Sequence, residues 1–329
     1  MTKLEQLVTV IRRHTPCDGS HTTALPGVKL HRASTPTVPM PVIYEPTVCF
    51  VAQGTKEASV GASTYRYDRA RHLVASVDLP VMGQVIEASA SKPYLCLQLD
   101  LNASELSELA IRYPASPSDP VAMPAGLTVS ETTPELLDAA VRLVSLLDAP
   151  RDIDALAPLT VREMLYRLLT GPGGGVIRHM AQADSRLNHV ARAILWIRSH
   201  FREPCHIEEA AKVAGMSRSS FHLHFKAITS MSPIEFRTQL RMQEARRLMV
   251  HERLDAASAG FTVGYQSPSQ FSRDYARIFG APPARDATRL RAAASPPVGG
   301  APSSSRRHVD LPWQQPGTRR SPRRGAVAD

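Results

Sequence analysis

Two stretches of the chain, GMSRSSFHLHFKAI at residues 215–228 and GYQSPSQFSRDYARI at residues 264–278, are built alike. They stand about fifty residues apart, an internal repeat. Each follows an alanine-rich helical stretch and opens on a glycine, Gly215 or Gly264, where a first helix must end and positive φ costs a glycine least. Ser217 and Ser267 follow as N-caps of a second helix, and Pro268 takes a first helical position, where its missing N–H is no loss. Phe221, Phe225 and Ile228, like Phe271, Tyr275 and Ile278, recur at helical spacing on one buried face. The pattern predicts two helix-turn-helix units.

The opposite faces decide what the units are for. They offer Ser219, His222, Leu223 and Lys226 in the first copy, and Ser269, Ser272, Arg273 and Arg277 in the second. Cations and hydrogen-bond donors on a helix that fits the major groove are suited to base edges and phosphates. One such face alone reads nearly as well as a solvated surface; two copies with matched turns favour DNA.

Charge agrees. The chain has 329 residues, enough for two modest domains, and a net charge of +9. Between residues 182 and 291 there are 17 basic and 10 acidic residues, against 16 and 18 before them. The cationic excess sits with the repeat and points to a polyanion. Nothing resembles a signal peptide or a bilayer-spanning stretch, so a cytoplasmic protein without a membrane partner is expected. Cys17, Cys49, Cys96 and Cys205 lack metal-ligand spacing, and Cys49 and Cys96, set in apolar runs, read as small buried hydrophobes.

Residues 1–14 predict an amphipathic helix, and residues 15–46, rich in Pro, Thr and His, read as irregular or edge structure. Six short strand-like segments follow at 47–53, 56–61, 64–67, 72–77, 81–87 and 94–100, suggesting a small sandwich or barrel. Helices are predicted at 102–112, 134–147 and 157–170, the last ending at the glycine run 171–175; the latter two could pair between subunits or simply cover the barrel. In the C-terminal part, helices are predicted at 186–200 and 207–214. A capping box, Ser232-Pro233-Ile234-Glu235, starts a long spacer helix reaching about Met249. The Ala/Pro/Ser/Gly/Arg-rich residues 291–329 read as a disordered basic tail that either adds phosphate contacts or only solvates.

GYQSPSQFSRDYARIFGAPP at 264–283, EEAAKVAGMSRSSFHLHFKAITSMSPIEF at 208–236 and LRMQEARRLM at 240–249 closely resemble the signature of the AraC/XylS family of bacterial transcription regulators. YEPTVCFVAQGTKEASVG at 44–61 and HLVASVDLPVMGQVIEASASKPYLCLQLDL at 72–101 resemble the N-terminal domain of one subgroup of that family. The resemblance implies an α+β chain of several domains: a cupin-like β-barrel with helices (1–181), an all-α domain with two helix-turn-helix units (186–290), and the tail. It implies a regulator, more often an activator, that reads promoter DNA and responds to a small-molecule effector, with a homodimer and, for an activator, RNA polymerase as further partners. Base-reading positions carried over are Ser219, His222 and Leu223, then Ser269, Gln270 and Arg273, with Lys226 and Arg277 on phosphates. Ser217, Ser267 and Ser272 complete the DNA-contacting set. Leu223 departs from the family, where a polar residue is common, yet can meet a thymine methyl.

The barrel interior is expected to be apolar, with Phe50, Tyr65, Val74, Met82 and Leu97 as an effector lining or plain core. Two other classes are weighed. A cupin-type metalloenzyme needs clustered histidines and a carboxylate, whereas the predicted strands offer only His72 with a distant Glu87. His222 and His224, two apart on a helix, cannot share a metal. No cofactor and no enzyme activity are expected. An architectural DNA-coating protein fits the tail but has no use for matched reading helices.

Overall fold

The computed structural model describes residues 1–115, 125–204 and 207–294. Most of the basic tail, including its three Arg-Arg pairs, and Cys205 lie outside the described residues. Helix α1 (Lys3–His14) opens the chain, capped by a Thr2/Glu5 capping box and burying Leu7, Val10 and Ile11. Strands β1 (Gly19–Thr22), β2 (Val28–Ala33), β3 (Met40–Tyr44), β4 (Thr47–Gln53), β5 (Thr55–Val60), β6 (Ser63–Asp68), β7 (Arg71–Ala75), β8 (Leu79–Glu87) and β9 (Tyr94–Asp100) follow. After α2 (Ala103–Arg112) comes β10 (Leu127–Glu131), then α3 (Pro134–Ser145), α4 (Ile153–Thr170) and α5 (Gly174–Ala181).

The strands form two antiparallel sheets, of order β1-β2-β9-β4-β7-β10 and β3-β8-β5-β6. Residues 15–46, expected to be irregular or edge structure, supply three strands, with β1 and β3 at sheet edges and β2 inside the large sheet. Their proline and threonine content hides the pattern, and pairing with β9 and β8 supplies the order that local propensity lacks. Helix α4 ends at the glycine run as expected, with Gly171 at its C-cap, and Gly173, at φ +79°, then caps a further helix, α5.

Seven helices follow: α6 (Arg186–His200), α7 (Ile207–Val213), α8 (Arg218–Thr229), α9 (Pro233–His251), α10 (Ala256–Thr262), α11 (Pro268–Phe279) and α12 (Pro283–Ala294). Helices α7–α8 and α10–α11 are the two predicted units. The core divides unevenly between them. Phe221, Phe225, Ile228, Phe236 and Leu240 belong to one continuous core with the barrel, whereas Met242, Leu248, Tyr265, Phe271 and Tyr275 form a separate one. Helix α9 contributes to both.

The first unit is docked on the barrel domain. The Gly126 amide donates to the Ile228 carbonyl at 2.8 Å, at the end of α8. Arg198 on α6 pairs with the buried Asp78 and lies 3.5 Å from Glu45. Among the described residues, no helix is long and apolar enough to cross a membrane.

Candidate nucleic-acid interface

The turn before each second helix is made by a glycine in the left-handed region, Gly215 at φ +65° and Gly264 at +92°. Ser217 then accepts from the Ser220 amide and Ser267 from the Gln270 amide, the caps expected of them. Phe221, Phe225, Phe271 and Tyr275 are fully buried, which fixes how α8 and α11 roll on their supports. What remains outward is the expected face. Ser217, Ser219, Leu223 and Lys226 are exposed on α8 with His222 half-buried, while Ser269, Gln270, Arg273 and Arg277 are exposed on α11 with Ser267 and Ser272 half-buried.

The cations on these faces are not equivalent. Arg277 is held 2.9 Å from Asp274, one turn earlier on the same helix. Among the described residues neither Lys226 nor Arg273 has an ion-pair partner, so each is free to meet a base or phosphate. Leu223 stands 67 % exposed, an apolar side chain that only an external surface could cover.

A set of residues missed in the sequence ties the units together. Arg241 on α9 donates to the Phe201 carbonyl at 2.6 Å, the Arg202 carbonyl at 3.1 Å and the Gly264 carbonyl at 3.0 Å. Its guanidinium also lies 5.6 Å from the centre of the Tyr265 ring. Tyr265 in turn donates to Asp274 at 3.0 Å, which puts that carboxylate between the tyrosine and Arg277. Arg237, one turn before Arg241, donates to the Phe201 and Glu203 carbonyls. The end of α6 is thus linked to the second recognition helix through charge-assisted hydrogen bonds. The visible signal was two arginines four apart on one face of the spacer helix.

In the barrel, register separates the five residues proposed as an effector lining. Phe50 is opposite Leu97 and His72, and Val48 opposite Val74, so Phe50, Leu97 and Val74 share one face of the six-stranded sheet. That face lies under α1. Tyr65 shares its face of the other sheet with Tyr67, while Met82, opposite Ser59, points the other way. The interior is mixed, with Val51, Leu73, Ala58, Val81 and Val85 beside polar groups. From the large sheet come Tyr94, Cys96, Gln98, His31 and Cys49; from the small one Tyr44, Lys56 and Tyr67, with the Lys56 ammonium 5.4 Å from the Tyr44 ring centre and the two phenols 3.3 Å apart. Burial, aided by Lys56, pushes the His31 imidazole down to about 3, and it contacts Gln98 at 2.9 Å. The expected lining is therefore corrected for Phe50, Val74, Leu97 and Met82, which face away from the interior, and the interior is apolar only in part; Cys49 and Cys96 are buried in the core as expected.

Burial also lowers His72 to about 4; it sits on the outer face beside Phe50 and 3.3 Å from Thr132. Among the described residues no three His, Cys, Asp or Glu side chains cluster as metal ligands. An open groove of about 890 Å³ lies beside α1, lined in part by Leu4, Val8, Gln53, Thr55, Glu87 and Lys92.

Residues 24–176 match the family model for the AraC-type transcriptional regulator N-terminus, and residues 210–289 match a helix-turn-helix domain model. The chain belongs to the AraC/XylS family of transcription regulators. It is 31 % identical over 97 residues to the HTH-type transcriptional activator RhaS of Escherichia fergusonii, covering 30 % of this chain and 34 % of that protein. It is 34 % identical over 85 residues to the RCS-specific HTH-type transcriptional activator RclR of Escherichia coli, covering 26 % of this chain and 30 % of that one. The chain thus matches about a third of the length of these relatives. The structure of unsaturated fatty acid bound ToxT from Vibrio cholerae has the same fold, with a TM-score of 0.50 at 10 % identity over 79 % of this chain and 94 % of that one.

Proposed function

We propose that this AraC/XylS chain is a cytoplasmic, sequence-specific DNA-binding regulator, an activator, with α8 and α11 entering successive major-groove segments and the barrel domain receiving a small-molecule effector. The observation that carries this is the pair of capped, outward reading faces, each with an exposed cation that has no ion-pair partner among the described residues. That ToxT is solved with a fatty acid supports a small-molecule ligand for the shared architecture. The effector acts by population shift, binding one arrangement of barrel and first unit better than another. The docking contacts at Ile228 and Arg198 lie where such a difference would be felt. Residues 1–181 form the effector and dimerisation domain, and 186–290 the DNA-binding domain. RNA polymerase and a second copy of the chain are the protein partners.

Mapping the purified protein's binding sites on its own genomic DNA at near-physiological salt tests this. A few sharp sites with two half-motifs about one helical turn apart are expected. Diffuse, salt-sensitive binding without a motif would sink it and favour an architectural coating protein.

Two substitutions follow. On the mapped site, Arg273→Ala is expected to cost about 1–3 kcal/mol and to relax preference at one base position, as read by competition among site variants. Arg241→Met removes the tie between α6 and the Gly264 turn. Wild type should lose about tenfold in affinity when one base pair is inserted between the half-motifs. The variant should bind the natural and lengthened sites within about twofold of each other. A variant as strict as wild type would mean the tie does not set the spacing.

A further inference from the structure

We propose that Cys49 and Cys96 form an oxidant-responsive dithiol inside the barrel, joined into a disulfide by a hydroperoxide. The thiols sit on β4 and β9, the paired central strands of the large sheet, with Cys49 opposite Gln98 and Cys96 opposite Val51. They are therefore diagonal neighbours on the same inward face. Both are buried, at 4 % and 1 % exposure, and the Cys96 thiol donates to the Leu97 carbonyl at 3.5 Å.

Three features set this pair apart from inert core cysteines. First, Lys56 reaches across from the other sheet. Burial opposes its charge, but Tyr44 and Cys49 outweigh that and hold its ammonium protonated above the ordinary range. Second, burial pushes the Cys96 thiol up, but hydrogen bonds with Cys49 and Tyr94 and the Lys56 charge more than offset it, so the thiol ends below its ordinary value. Cys49 moves up, through its hydrogen bond with Cys96 and burial. One thiol is thus prepared as nucleophile and the other kept protonated. Third, the Tyr94 hydroxyl, fully buried beside Cys96, has no oxygen or nitrogen partner among the described residues, so its contact with the Cys96 sulfur is one it can redirect to an oxygen added there. Lys56 itself is only half-buried.

The chemistry balances without a cofactor. The Cys96 thiolate attacks one peroxide oxygen, the O–O bond breaks, and hydroxide leaves and takes up a proton, giving a sulfenic acid and water. The Cys49 sulfur then attacks the sulfenic sulfur as its proton passes to the departing hydroxyl, releasing a second water. Two thiols and one peroxide become a disulfide and two waters, with two electrons passing from sulfur to oxygen. Diagonal positions in an antiparallel pair stand farther apart than disulfide geometry prefers, so closing the bond must draw β4 and β9 together. The ladder already shifts register between Val51 and Gln53, beside Cys96, and can take up that movement. The reshaped sheet is the one whose strand β7 pairs with β10, just after Gly126, whose amide holds the first reading unit.

The test uses the full chain carrying Cys17→Ser and Cys205→Ser, reduced and then titrated with hydrogen peroxide. The expected result is loss of both remaining thiols together, a mass lower by two hydrogens, a cross-linked peptide joining Cys49 to Cys96, and reversal by dithiothreitol. Lys56→Met should slow the reaction by about fivefold or more. In the wild-type chain, buried thiols that stay alkylatable after unfolding, once the exposed Cys17 has been oxidised, would overturn the proposal, and that readout needs no variant. The regulatory half rests on the DNA-binding reading: affinity for the mapped sites should change about tenfold on oxidation and not in Cys49→Ala. Equal affinity before and after would overturn regulation. Because the thiol chemistry is read without DNA, the site and the regulator reading fail separately.

Discussion

Gly264→Ala is expected to destabilise the second unit by about 3 kcal/mol or more, while Gly215→Ala, at the matching place in the first unit, costs about 1–2 kcal/mol. Both glycines hold positive φ, so each variant pays the strain of an L-residue in the left-handed region. They differ in space. A Cβ on Gly215 would meet nothing nearer than His189 Nδ1 at 3.6 Å, an ordinary contact. On Gly264 it would run into the Arg202 carbonyl and stand 2.6 Å from Arg241 Nη2, the group that ties the two units. Relief would require moving the backbone at Arg202 or expelling Arg241 from its carbonyls. Because the second unit has its own core, its loss should show as an early transition in denaturant with the barrel still folded. Equal costs at the two glycines would show that Arg241 and the Arg202 carbonyl yield freely.

How much of this was legible varies with the physics of each segment. The reading units were, because their signals are local: a glycine, a capping serine and aromatic residues at helical spacing all lie within fifteen residues. Strands β4 and β9 were found with their observed bounds, since both are short, mostly apolar runs, β-branched in β4 and leucine-rich in β9. Strands β1 to β3 were not, because what orders them is pairing with residues far along the chain. The barrel interior was misjudged for a related reason. Both faces of β4 and β9 are buried, one under α1 and one inside the barrel, so no polar–apolar alternation marks which is inward. Choosing Phe50 and Leu97 over Cys49 and Cys96 was a choice of parity, and one residue of parity reverses a face.

Asp286→Ala is expected to cost the second unit about 3–5 kcal/mol, the usual effect of stranding one member of a buried ion pair. The Asp286 carboxylate is wholly buried and accepts from Arg246 Nε at 2.8 Å and Nη2 at 3.2 Å, from the Tyr275 hydroxyl at 2.9 Å and from Arg289 at 2.7 Å. It joins α12 to α9 and α11 at one point, and its loss leaves Arg246 buried without a counter-charge. Removing both charges is a different experiment. Arg246→Met with Asp286→Ala leaves no uncompensated charge, only the Tyr275 hydroxyl without its acceptor, and should recover much of the single variant's loss. The pH dependence follows from the carboxylate. Burial raises its proton affinity, but the hydrogen bonds and charge of Arg246, with Tyr275 and Arg289, outweigh that and leave it below the ordinary aspartate value. A depressed folded value means the stabilisation is complete above the ordinary carboxylate range and is lost as pH falls through the folded value. Wild type should therefore show an acid limb in the denaturation of the second unit that Asp286→Asn lacks. Should the single and double variants lose stability equally, the cost would belong to the lost contacts around Tyr275 rather than to an uncompensated arginine, and α12 would be held by packing alone.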